Sequence, residues 1–97
     1  MSDELLIGGF SFSAVKAGIR GKDRLDVGLI FCEQPASAAA VYTTNIVQAA
    51  PVLLGKERIA SGRAQAVMIN SGIANACTGE RGMANARRAA ALIAREL

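Results

Sequence analysis

Ninety-seven residues, 52% of them hydrophobic and with 11 Lys and Arg against 8 Asp and Glu, fit one small globular domain or a piece of a larger one. A net charge of +3 is too mild and too dispersed for a nucleic-acid footprint, and no apolar run approaches the length of a membrane span. Histidine is absent, which excludes Ser-His-Asp and Cys-His catalysis by this chain alone and removes the commonest metal ligand.

The acidic start, Met1–Leu6, has neither a basic region nor a long apolar stretch, so no secretory signal is expected. Phe10 and Phe12 then alternate with Ser11 and Ser13, a period of two that predicts a strand over Phe10–Ile19 with one polar face. Gly18 and Gly21-Lys22-Asp23 mark a turn. Leu25–Cys32 follows as a second strand, apolar enough from Val27 onward to be central, and pairs with the first as an antiparallel hairpin with a long loop. Glu33-Gln34-Pro35 breaks the ladder because proline lacks a donor. Ala38–Asn45 ends in β-branched and aromatic residues and reads as a third strand, although its alanines also suit a short helical turn.

Pro51 is placed to open a helix running to about Ser61 and stopping at Gly62. Val52, Leu53, Ile59 and Ala60 give it an apolar side, weakened by Gly55. Ala64–Ile69 predicts a fourth strand, short and buried. Over Arg81–Leu97, Met83, Ala86, Ala90, Ile93 and Leu97 recur at helical steps and form one inward stripe. The chain stops inside that pattern, without a cap or polar tail, as a truncated polypeptide would. Only four aromatic residues are present, so the core rests on small aliphatic side chains. Such a chain is expected to need surface from a partner.

Between the last strand and helix lies Asn70-Ser71-Gly72-Ile73-Ala74-Asn75-Ala76-Cys77-Thr78-Gly79. A small polar loop at the carboxyl end of a strand is where α/β proteins place their chemistry. The loop leads into a helix start, where unpaired N–H groups favour an anion, but it lacks the lysine of a phosphate loop and the glycine spacing of a dinucleotide site. The plainer alternative is that Asn70, Asn75 and Thr78 satisfy backbone groups in a tight crossing. Ser71, Cys77 and Thr78 are nucleophile types without a histidine to activate them, and Cys77 is expected to be buried and inert. Cys32 is expected to pack within its strand; both thiols are expected reduced in a cytoplasmic protein. Arg81, Arg87, Arg88 and Arg95 fit a solvated helix face better than a nucleic-acid stripe. Asp23, Asp26 and Glu33 are too isolated to form an acid/base pair.

Gly9-Phe10, Ala17-Gly18-Ile19, Asp26–Ile30, Pro35-Ala36, Ala40–Asn45, Ala49–Val52 and above all Asn70–Gly79 resemble, in order and spacing, the opening blocks of the ornithine acetyltransferase family. These are the bifunctional glutamate/ornithine N-acetyltransferases of arginine biosynthesis. Many members carry Asn where this chain has Ile73, a position to which no chemistry is assigned.

The resemblance implies an α/β (α+β) fold: a mostly antiparallel or mixed sheet of about four strands with two helices packed on it. Residues 1–97 would form a single partial domain, the N-terminal segment of the α chain within a larger N-terminal-nucleophile-like acetyltransferase. The family moves an acetyl group from N2-acetylornithine to glutamate through an acetyl-threonine, and some members also use acetyl-CoA as co-substrate. The threonine becomes a chain terminus when the precursor cuts itself. The oxyanion Thr-Gly pair, the cleavage site and the nucleophile would all lie beyond Leu97. No catalytic residue, cofactor or metal is therefore assigned to this chain. Asn70, Ser71, Gly72, Asn75, Thr78 and Gly79 are the residues expected to border or support the site. The implied partners are the rest of the α chain and the β chain in a hetero-oligomer, with no membrane or nucleic acid. A free-standing module that binds a small anion or a partner, without catalysis, is the alternative.

Overall fold

Of the strand predicted over Phe10–Ile19, only Phe10–Val15 forms. In the computed structural model, which describes residues 7–19, 21 and 23–97, this segment is β1. The acidic start and Lys22 of the expected turn lie outside the described residues. The chain divides into two units, one of residues 1–37 and 64–73, the other of residues 38–63 and 74–97.

The first unit is a sheet. β1 pairs antiparallel with β2, Val27–Ser37, from Phe10 opposite Cys32 to Val15 opposite Val27. Phe10, Phe12 and Ala14 thus share a face with Cys32, Ile30 and Gly28, while Ser11 and Ser13 stand opposite Phe31 and Leu29. The long loop between the strands is closed by Asp26, which is 3% exposed. Its carboxylate accepts the N–H groups of Ala17 and Ile19, both at 2.6 Å. Its own N–H donates to the Val15 carbonyl at 3.1 Å.

β2 continues through Glu33-Gln34-Pro35, where the sequence predicts a break. The last bond toward β1 runs from the Glu33 N–H to the Gly9 carbonyl at 2.9 Å. Alternate residues of a strand present their N–H to the same side, so the donor that Pro35 lacks would point past the end of β1. Proline therefore costs the ladder with β1 nothing.

β3, Arg63–Asn70, completes the order β1-β2-β3. Ser71 N–H donates to the Asp26 carbonyl at one end of β2, and Ala38 N–H donates to the Gly62 carbonyl at the other. β3 is thereby antiparallel to β2. It is an edge strand rather than the buried strand expected, with Val67 52% and Ile69 51% exposed.

The sheet has three strands, not about four, because Ala38–Asn45 is irregular. Its polar groups are used locally. Asn45 N–H donates to Thr43 Oγ1 at 3.2 Å, and Gln48 Nε2 donates to the carbonyls of Thr43 and Asn45 at 3.2 and 3.0 Å. Val41 and Ile46 stand fully in solvent, so their preference for strand has no neighbour to pack on.

The second unit holds two helices. α1, Ala50–Ile59, opens with proline in its first turn, and the chain leaves it at Gly62, whose φ of +76° suits glycine. Ala50 and Leu54 are its buried residues, whereas Leu53 and Ala60, expected inside, are exposed. Gly55 is a packing site rather than a weak point, because a Cβ there would meet the Tyr42 hydroxyl at 3.2 Å. Lys56 adds to the same cluster, 5.7 Å over the Tyr42 ring and 2.9 Å from Gln48 Oε1.

α2, Gly79–Glu96, starts two residues before the predicted Arg81. Met83, Ala86, Ala90 and Ile93 form the half-buried stripe as expected; Leu97 falls outside it. Arg87 joins α2 to α1 through Glu57, at 2.8 and 3.0 Å. That pairing holds the Glu57 carboxyl below its ordinary value of 4.5, first through the hydrogen bond from Arg87 and then through charge. The unfolded chain therefore binds a proton there more readily than the folded one. The contribution of the pair is fully present above pH 4.5 and disappears as pH falls through the lowered value. Glu57→Gln should lower the urea midpoint slightly at pH 7, and the difference from the parent should shrink as pH falls below 4.5 through the lowered value, since an exposed pair is weak and is lost on protonation.

Among the described residues only Ala50 and Leu54 are buried apolar side chains. No described helix is long and apolar enough to cross a membrane.

Candidate functional site

The loop after β3 splits between the two units after Ile73. Asn70, Ser71 and Gly72 belong with the sheet. Asn70 Nδ2 donates to the Ile73 carbonyl at 3.0 Å, closing a turn in which Gly72 has a φ of +104°. Ser71 is fixed through its backbone, its N–H on the Asp26 carbonyl at 2.9 Å. The carboxylate that closes the β1–β2 loop therefore sits on the residue that anchors the start of this one.

Asn75, Thr78 and Gly79 belong with the helices. Asn75 is the centre of this half. Its carbonyl accepts the N–H of Ala50 at 3.2 Å, at the first turn of α1. Its Nδ2 donates to the Gly82 carbonyl at 2.8 Å, in the first turn of α2, and its Oδ1 accepts the Thr78 hydroxyl. One asparagine thus links both helix starts.

Thr78 precedes α2 but does not cap it with its side chain, since its hydroxyl is turned to Asn75. The chain reaches α2 through two left-handed residues, Cys77 with φ +55° and Gly79 with φ +63°. Glycine adopts this at little cost; cysteine does so only where its surroundings impose it. Cys77, expected buried, is exposed, and both cysteines are free thiols.

Chemically, the second half is a self-satisfied turn. The donors of Asn75 and Thr78 point at protein atoms, and Glu80 occupies the first turn of α2, where a bound anion would be favoured. Among the described residues no three Cys, Asp or Glu side chains gather as metal ligands. Two residues with large structural roles have none assigned from the sequence. Asp26 stands there as too isolated for an acid/base pair and as the start of the family-like block Asp26–Ile30. Gly82 was hidden by a helix-like pattern in which glycine looks like a defect.

Comparison with known proteins places these elements in a family. The ArgJ family profile matches residues 11–97. The arginine biosynthesis bifunctional protein ArgJ of Desulfotalea psychrophila is 57% identical over 91 residues, which are 94% of this chain and 23% of that protein. The chain thus spans about a quarter of the length of that relative. The crystal structure of ArgJ from Bacillus halodurans superposes with a TM-score of 0.76 at 52% identity, over 81% of this chain and 41% of that one. That of the ornithine acetyltransferase of Mycobacterium tuberculosis, complexed with ornithine, gives 0.74 at 48% identity, over 80% and 41%. With a family match across nearly its whole length and the same fold in two solved relatives, the chain belongs to the ArgJ family.

Proposed function

We propose that residues 1–97 form a single partial domain, the N-terminal segment of a cytoplasmic enzyme that moves an acetyl group from N2-acetylornithine to glutamate. The segment contributes sheet, helices and the Asn70–Gly79 loop; the nucleophile is a threonine in the polypeptide beyond it. The observation that carries this reading is membership of a family of arginine-biosynthesis enzymes, one of which was solved with ornithine bound.

Histidine-free chemistry suits an N-terminal threonine, because a terminal amine titrates near 7.7–8.0 and serves as the base that histidine would otherwise supply. Self-cleavage into α and β chains has support in the lengths. A solved chain of which the match fills 41% is about half as long as a relative of which it fills 23%. Asn70, Ser71, Gly72, Asn75, Thr78 and Gly79 border the substrate or hold residues that do. Acetyl-CoA enters, where it is used, as a second acetyl donor.

The test is transfer from N-acetylornithine to glutamate by the 97-residue chain, alone and mixed with a polypeptide carrying the rest of the Desulfotalea psychrophila relative. No transfer alone and transfer by the mixture are expected. Transfer by the chain alone, or none by a folded mixed complex, would refute the reading.

A further inference from the structure

Asp26 is a buried acidic residue to which the acetyl-transfer reading above gives no part. A charge so placed is costly unless it is hydrogen-bonded. Two backbone donors on the β1–β2 loop meet that need, the N–H groups of Ala17 and Ile19 at 2.6 Å. Bonds to a charged acceptor at this length are strong, so the loop fixes the carboxylate as firmly as the carboxylate fixes the loop.

The main chain of the same residue is held on both sides. Its N–H donates to the Val15 carbonyl at 3.1 Å, and its carbonyl accepts the Ser71 N–H at 2.9 Å. Ser71 lies inside the turn that Asn70 closes on the Ile73 carbonyl. Its amide therefore ties that turn, at the start of the Asn70–Gly79 loop, to a residue pinned through both side chain and main chain. An uncharged side chain would cost less to bury. What the carboxylate adds is rigidity at the carbonyl on which Ser71 rests.

We propose that Asp26 is a positioning residue of the acetyl-transfer site, acting through Ser71 to set where Asn70, Ser71 and Gly72 meet the substrate. The inference rests on the reading above, in which these three residues border the site. A displacement of about 1 Å can cost about a hundredfold in rate, so even a smaller shift of this turn is measurable in the kinetics.

Transfer from N-acetylornithine to glutamate is measured with the 97-residue chain, parent or variant, combined with the remaining polypeptide of the Desulfotalea psychrophila relative. Asp26→Asn should raise KM for N-acetylornithine by about fivefold to tenfold and change kcat by less than about twofold. Ala17→Pro deletes one loop donor and leaves the carboxylate in place. It should raise KM by about twofold to threefold, and it carries the test if the Asp26→Asn chain does not assemble. Leu54→Ala, which hollows the buried side of α1, should lower only the active fraction, and so the apparent kcat, with KM parental. That pattern in the Asp26 or Ala17 variant, or KM and kcat both at parental values, would make Asp26 purely structural and overturn the proposal. A parent complex that transfers nothing refutes the enzymatic reading and this proposal with it. A parent that transfers beside variants of unchanged KM refutes the proposal alone.

Discussion

Asp26→Ala is expected to release the loop between β1 and β2 and to unfasten Ser71 with it. The substitution removes the acceptor from two backbone N–H groups, those of Ala17 and Ile19, both held at 2.6 Å by a carboxylate only 3% exposed. Both donors are part-buried, so leaving them unpaired costs at most about 1–3 kcal/mol each, and a total loss of about 1–3 kcal/mol is expected. Hydrogen exchange at Ala17 and Ile19 should accelerate by more than about tenfold, with a smaller rise at Ser71, whose acceptor is the Asp26 backbone carbonyl. Asp26→Asn should fall between, because it keeps one oxygen but sets an amide NH2 against the other donor. Parental exchange rates in the alanine variant would mean that the loop is held by other contacts.

Gly82→Ala sets two effects against each other. Alanine in place of glycine within a helix ordinarily gains about 1 kcal/mol. At this position a Cβ would overlap the Thr78 hydroxyl and the Asn75 side-chain oxygen. Both are tied to each other, and Asn75 is also tied to the Gly82 carbonyl. Relief therefore requires breaking bonds that link the starts of α1 and α2. Overpacking costs about 1–3 kcal/mol and a lost hydrogen bond about 1 kcal/mol, so the variant should be less stable by about 1–3 kcal/mol in urea unfolding. Adding Thr78→Ala to Gly82→Ala should recover part of the loss. A Gly82→Ala chain more stable than its parent would show that helix propensity dominates at this turn.

Asp26 and Gly82 also mark where reading the sequence stops. Periodicity located β1 and α2, apolar runs the centre of β2 and β3, and Pro51 with Gly62 the bounds of α1, because each of these is decided by side chains a few residues apart. Pro35 and the Ala38–Asn45 stretch were misjudged because strand formation depends on neighbours distant in sequence. Proline is harmless beyond the end of β1, and Val41, Tyr42 and Ile46 have strand propensity but no strand beside them. Gly55 and Gly82 look like helix defects until Tyr42, Asn75 and Thr78 are seen filling the space. The Asn70–Gly79 loop was legible as a place of interest from its residue types and its resemblance to a family. Its division into a sheet half and a helix half, and the left-handed Cys77, depend on backbone angles that residue types alone do not encode.

The most direct test of the claim that this chain scaffolds an acetyltransferase without supplying its nucleophile is the intact mass of each polypeptide after incubation with N-acetylornithine. The 97-residue chain is combined for this with the remaining polypeptide of the Desulfotalea psychrophila relative, in the absence of glutamate. One acetyl group on the remaining polypeptide, and none on the 97-residue chain, is the predicted result. An acetyl group on this chain, at Ser71, Cys77, Thr78 or elsewhere, would contradict it.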